Sequence, residues 1–175
     1  ATVSTILFSD GSRVLHDRLD IREVPALTRA DYRCCGCTAL LDAVGGAIGH
    51  VDLVQRVQPR GHAADRVLFV ITTDGMENAS RRFTYPQDKK MIEQHRERGW
   101  EFLFIGANID AAAEASHLGI ASERAADYVA DGRGTEVLYS AMAMAVANVR
   151  SGAPGSAMGD SWRAGLDADV RARRR

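Results

Sequence analysis

The stretch Val67-Leu68-Phe69-Val70-Ile71-Thr72-Thr73-Asp74-Gly75 decides how the rest of the chain is read. Five apolar residues in a row run into a Thr-Thr-Asp-Gly turn. An apolar run without alternation is the pattern of a strand covered on both faces, as in the middle of a parallel sheet. Downstream, helix and strand patterns take turns. The spacing predicts a helix over 86–98, a strand over 101–106 and an alanine-rich helix over 110–118 with Asp110 as N-cap. A short edge strand over 125–130 and a helix over 135–149 follow. Such alternation implies right-handed crossovers and a parallel sheet with helices on both faces. The expected fold is α/β, a Rossmann-like, doubly wound and mostly parallel sheet.

Upstream of the run, Leu40, Leu41, Val44, Ile48, Val51 and Val54 form one apolar stripe at helical spacing, predicting a helix over 39–57. Thr38 stands at its N-cap position. Gly45 and Gly46 weaken that helix but allow another backbone to pack closely. Residues 59–64 read as a polar loop. Residues 3–8 read as a strand, Ser9-Asp10-Gly11-Ser12 as a turn and 13–16 as the returning strand, the one antiparallel edge strand of the sheet. Residues 17–33 look irregular, with Pro25 inside them.

The chain has 175 residues, one domain's worth and enough to bury a substantial core. We expect a domain over 1–151 and, over 152–175, a linker and tail. Residues 152–159 have linker composition. Trp162, Leu166 and Val170 fall at i, i+4 and i+8, predicting a short amphipathic helix that packs on its own domain and ends in Arg173-Arg174-Arg175. The net charge of −1 makes no global case for nucleic acid or an anionic membrane as partner. No apolar run reaches the length of a membrane span, and the first residues carry no basic n-region. Three cysteines, Cys34, Cys35 and Cys37, crowd into one segment, a poor disulfide framework that favours a reducing, cytoplasmic setting.

In open α/β sheets, ligands bind beyond the carboxyl ends of the strands. Asp74 is the strongest polar candidate there: it follows a wholly apolar strand and precedes Gly75. Two roles are open to it, capping the loop 75–80 through backbone N–H groups or binding a ligand. Thr38 likewise either caps the helix it precedes or offers its hydroxyl to a ligand. A hydroxyl at a helix start beside a carboxylate at a strand end can hold a hard cation such as Mg²⁺, which favours octahedral oxygen ligands and keeps waters. An incomplete shell leaves a position for a partner's carboxylate.

Several of these stretches carry a family resemblance. Gly36-Cys37-Thr38-Ala39-Leu40-Leu41-Asp42-Ala43 resembles the segment of von Willebrand factor A (vWA) domains that supplies a metal-binding threonine ahead of a helix. The run from Val67 to Gly75 resembles the vWA strand that ends in the metal-site aspartate. Val3-Ser4-Thr5-Ile6-Leu7-Phe8-Ser9-Asp10 looks like the family's early strand before its hairpin. Asp74-Gly75-Met76-Glu77-Asn78-Ala79-Ser80 and Gly106-Ala107-Asn108-Ile109-Asp110-Ala111 are similar to a bacterial, intracellular branch of the family. The resemblance spans about residues 1–151. It implies a metal-ion-dependent adhesion site holding Mg²⁺ or Mn²⁺, with Thr38 a direct or near-direct ligand and Asp74 acting through water. It implies a protein partner that presents an acidic side chain. One departure stands out: the family's Asp-x-Ser-x-Ser motif is not found. Asp10-Gly11-Ser12 falls in the hairpin turn, and Asp160-Ser161 falls in the tail. The resemblance puts the motif's strand and helix before Ala1. We expect either an upstream segment or an edge filled by another chain, and incomplete metal occupancy with Thr38 and Asp74 alone.

Other signals weigh less. Cys34-Cys35-x-Cys37 lacks the second ligand pair of structural zinc and reads as small side chains in the loop before Thr38. His16, His50, His62, His95 and His117 show no metal-site or triad spacing, and His95 and His117 read as surface or helix-end residues. No glycine-rich phosphate loop follows a strand. The basic runs have no interleaved aromatic residues for stacking on nucleic acid. Two functions compete with the adhesion module. A Mg²⁺-dependent phosphohydrolase would need more acids and a phosphate-binding group at the rim, and the only lysines, Lys89 and Lys90, fall in a predicted helix. A metal-free scaffold would bind through apolar or β-edge surfaces.

Overall fold

The computed structural model describes residues 1–28, 30, 31, 36–59, 61–152 and 159–173. In chain order it contains β1 (Thr2–Phe8), β2 (Ser12–Asp20), α1 (Leu40–Val57), β3 (Leu68–Thr73), α2 (Tyr85–Glu97), β4 (Glu101–Gly106), α3 (Ala111–His117), β5 (Ala125–Asp127), α4 (Gly132–Ser151) and α5 (Ala164–Arg173). Short 3-10 turns at Ser122–Arg124 and Asp160–Arg163 lead into β5 and α5. Cys34, Cys35, Arg174, Arg175 and the linker residues 153–158 lie outside the described residues. No helix among the described residues is long and apolar enough to cross a membrane.

The strand–helix alternation read from the sequence produces a parallel sheet in the order β3-β4-β5, with β3 and β4 in register from Leu68↔Glu101 to Thr73↔Gly106. Successive residues of β4 divide between two cores, as the two-residue period of a strand requires. Phe102 and Phe104 pack with Leu40, Val44 and Ile48 of α1 and Ile92 of α2. Leu103 and Ile105 pack with Leu138, Ala141 and Ala145 of α4 and with Trp162 and Leu166. Helices α1, α2 and α3 therefore cover one face, and α4 and α5 the other. The tail stripe is core: Trp162 and Leu166 are fully buried against the domain.

Local signals set the helix starts. Asp110 accepts from the Ala113 N–H and caps α3. Asp131 accepts from the Gly134 N–H and starts α4 at Gly132, three residues before the start at 135 that the spacing predicts. Thr84 and Gln87 form a capping box at α2, with Pro86 in its first turn.

The sheet is in two pieces rather than one. β2 runs to Asp20 and pairs antiparallel with β1, and this hairpin is a sheet of its own, not hydrogen-bonded to β3. The antiparallel strand thus borders a hairpin rather than the parallel sheet. β3, whose composition suits a central strand, is an edge strand that among the described residues pairs only with β4, and Leu68, Phe69 and Val70 are half-buried.

His95 lies in the last turn of α2, the helix-end place its reading allowed, but not on the surface. It is buried, its ring tilted against Trp100 with centroids 4.3 Å apart, and its Nδ1 lies 2.7 Å from the Met91 carbonyl. It belongs to a charged cluster beneath α1 and α2, where Asp52 meets Arg98 at 2.8 Å, Arg56 at 2.8 Å and His95 at 3.4 Å. Burial pushes the Asp52 carboxyl up, but Arg98, His95 and Arg56 outweigh it and hold the group below its ordinary value. His117, by contrast, is exposed at the end of α3.

Candidate functional site

The carboxyl ends of β1 and β3 meet at the start of α1. The Ser9 carbonyl, just beyond β1, accepts from the Ala39 N–H at 2.6 Å. Beyond β3, the Thr73 hydroxyl donates to the Gly75 carbonyl at 2.8 Å and closes a tight turn. That turn leaves Asp74 exposed, and among the described residues no group bonds its carboxylate. The loop-capping role open to Asp74 is thus not the one it plays; Thr73 holds the turn.

Thr38 sits directly against this turn. A Cβ on Gly75 would stand 3.3 Å from Thr38 Oγ1, so the glycine permits the close approach. The Thr38 N–H donates to Asn78 Oδ1 at 2.8 Å, and its carbonyl accepts from the Asn78 N–H at 3.0 Å. The two candidates read from the sequence, Thr38 and Asp74, are brought to one rim from positions far apart in the chain. Around them lie exposed Asp10, Cys37 and Met76, the methionine 65% exposed.

Thr38 does not cap α1. The N-cap position is Ala39, with no side-chain cap bond. The orphan N–H groups of the first turn are satisfied by the loop after β3 instead: Leu41 donates to Glu77 Oε2 at 2.9 Å, and Asp42 donates to Ser80 Oγ at 3.0 Å. Glu77 also accepts from the N–H groups of Ala79 and Ser80 and from the Ser80 hydroxyl. In return Asp42, on α1, accepts from the N–H groups of Arg81, Arg82 and Phe83. Burial works to raise both carboxyls, but these donors outweigh it and hold each below its ordinary value. Glu77, Asn78, Ser80 and Asp42 therefore build the site without having been singled out as single residues. The one signal was the polar run after Asp74; nothing in spacing alone ties it to a helix start some forty residues earlier.

A hydroxyl and a free carboxylate are hard oxygen donors, the chemistry that suits Mg²⁺ or Mn²⁺. Thr38 and Asp74 by themselves would supply only part of an octahedral shell. Among the described residues, no three His, Cys, Asp or Glu side chains gather as a complete metal site. Lys89 and Lys90 are exposed on α2, with Lys89 4.0 Å from Glu93. The chain matches no known protein family, no curated protein and no solved structure.

Proposed function

We propose that this chain is a protein-binding module of the vWA type rather than an enzyme, with its contact surface at the rim formed by Thr38 and Asp74. The observation that carries the reading is the Thr38 hydroxyl packed on Gly75, beside a carboxylate with no partner among the described residues. Thr38 and Asp74 would hold Mg²⁺ or Mn²⁺, which would present an open position to an acidic side chain of the partner. Exposed Met76 offers adaptable apolar contact beside them. The free, exposed thiol of Cys37 suits a reducing compartment, and we assign the module to the cytoplasm.

The test is titration with Mn²⁺ followed by NMR. The paramagnetic ion should broaden the amide signals of Thr38, Asp74 and Gly75 in the wild type. Affinity should be weak, of the order of millimolar, because the shell is partial. Asp74→Ala should abolish the broadening and Thr38→Ala should reduce it. Equal broadening in Asp74→Ala would mean that the ion binds elsewhere.

The unpaired edge of β3 favours a second reading, a metal-free scaffold. A strand with apolar residues on both faces and a free edge is a template for an extended segment. The end of β1 bonds the Ala39 N–H through the Ser9 carbonyl, and the end of β3 lies against the adjacent Thr38. A strand from another chain would pair there.

A further inference from the structure

Beneath the rim, Asp88 of α2 is fully buried, and neither carboxylate oxygen has a hydrogen-bond partner among the described residues. It lies where α1, α2 and the loop after β3 converge. Gly45 of α1 is so close that a Cβ there would stand 2.6 Å from Asp88 Oδ1 and 2.4 Å from the Phe83 ring. The charged groups acting on it are Asp42 from α1 and Glu77 from the loop, both carboxylates already occupied by backbone donors. A buried polar group left without a partner is unusual and costly, and an ionised one far more so.

We infer that Asp88 is a proton-linked latch: neutral, it lets α2 and residues 77–83 close on the start of α1; ionised, it drives them apart. The chemistry follows from the surroundings. Burial first, then the charges of Asp42 and Glu77, push the carboxyl from the ordinary 3.8 up to about 7. The closed state binds this proton more tightly than an opened state in which Asp88 meets water. The stabilisation is therefore complete below about pH 4, is lost progressively as pH rises, and is gone above about pH 7. The loop it holds is the one that pairs Asn78 with Thr38 and caps Leu41 and Asp42 through Glu77 and Ser80. Opening the latch releases that pairing. The inference does not require a metal at the rim; if the rim binds a partner, it makes that binding fall as pH rises.

Two measurements decide it. Carbon-13 NMR of the Asp88 carboxyl in the wild-type chain should give a midpoint near neutrality; a midpoint near that of an exposed aspartate overturns the inference. Hydrogen-exchange protection at Leu41, Asp42 and the 81–83 amides, corrected for the intrinsic rate, should fall by up to about tenfold per pH unit between pH 5 and 7. In Asp88→Asn, which keeps the shape and cannot ionise, that protection should be independent of pH. A fall of equal size in the variant also overturns the inference, because another group would then be the titrating one.

Discussion

At Glu77 one carboxylate accepts four hydrogen bonds, from the N–H groups of Leu41, Ala79 and Ser80 and from the Ser80 hydroxyl. Three of those donors are backbone groups, and one belongs to the first turn of a helix. Removing the acceptor leaves partly buried N–H groups unpaired, the costly case in hydrogen-bond energetics. We predict that Glu77→Ala lowers unfolding free energy by about 3 kcal/mol, measured by denaturant titration. The Leu41 amide should lose protection in the same variant. A loss under about 1 kcal/mol would show that water replaces the carboxylate readily. Residue-scale reading of the sequence singled out Asp74 and Thr38 as candidates because strand ends and helix starts have local signatures. It did not single out Glu77, since a helix cap supplied from another part of the chain has none.

The element whose surroundings matter most is β3. Bonds from the Glu101 N–H to the Val67 carbonyl and from the Ala107 N–H to the Thr73 carbonyl set the phase of the parallel ladder. Phe69, Ile71 and Thr73 therefore turn their backbone groups to β4, and Leu68, Val70 and Thr72 turn theirs to the open edge. We predict an alternation of hydrogen exchange along the strand, slow at 69, 71 and 73 and fast at 68, 70 and 72. Docking of an extended partner strand would erase the alternation by slowing the fast set. Uniform slow exchange in the chain alone would rule out an open edge. The apolar run was legible as a strand because five such residues between turn signals leave few alternatives. Its edge position was not legible, because pairing depends on which other strands are present and where they lie.

Across the whole molecule, two cores share one sheet, and the second is closed by the tail. Trp162 is fully buried among residues of α4, β4 and β5, although its indole N–H has no partner among the described residues. Its contribution is thus volume and apolar area rather than hydrogen bonding. We predict that Trp162→Ala costs about 4 kcal/mol and Trp162→Phe less than about half of that, by thermal or denaturant unfolding. Equal losses in the two variants would mean that the indole N–H is satisfied in solution. Arg173, at the far end of α5, bonds Asp131 at the start of α4 and reaches Asp169 at 3.0 Å, so the tail is tied down at both ends. The spacing of Trp162, Leu166 and Val170 marked an amphipathic helix. That the stripe completes the second core, against Leu103 and Ile105, follows only from the packed structure.

The sequence by itself determined the local units. Runs of apolar residues, their periods of two or 3.6, and capping residues such as Asp110 and Thr84 act within a few positions of one another. It also determined the α/β class and brought Asp74 and Thr38 forward as candidates. Only the tertiary structure decided that the sheet is in two pieces and that Asp88 and His95 are buried. It alone decided that Glu77 caps a helix far upstream and that Thr38 lies on Gly75. Burial and long-range pairing are properties of the assembled chain: each depends on every segment that packs nearby, and no window of sequence contains that sum.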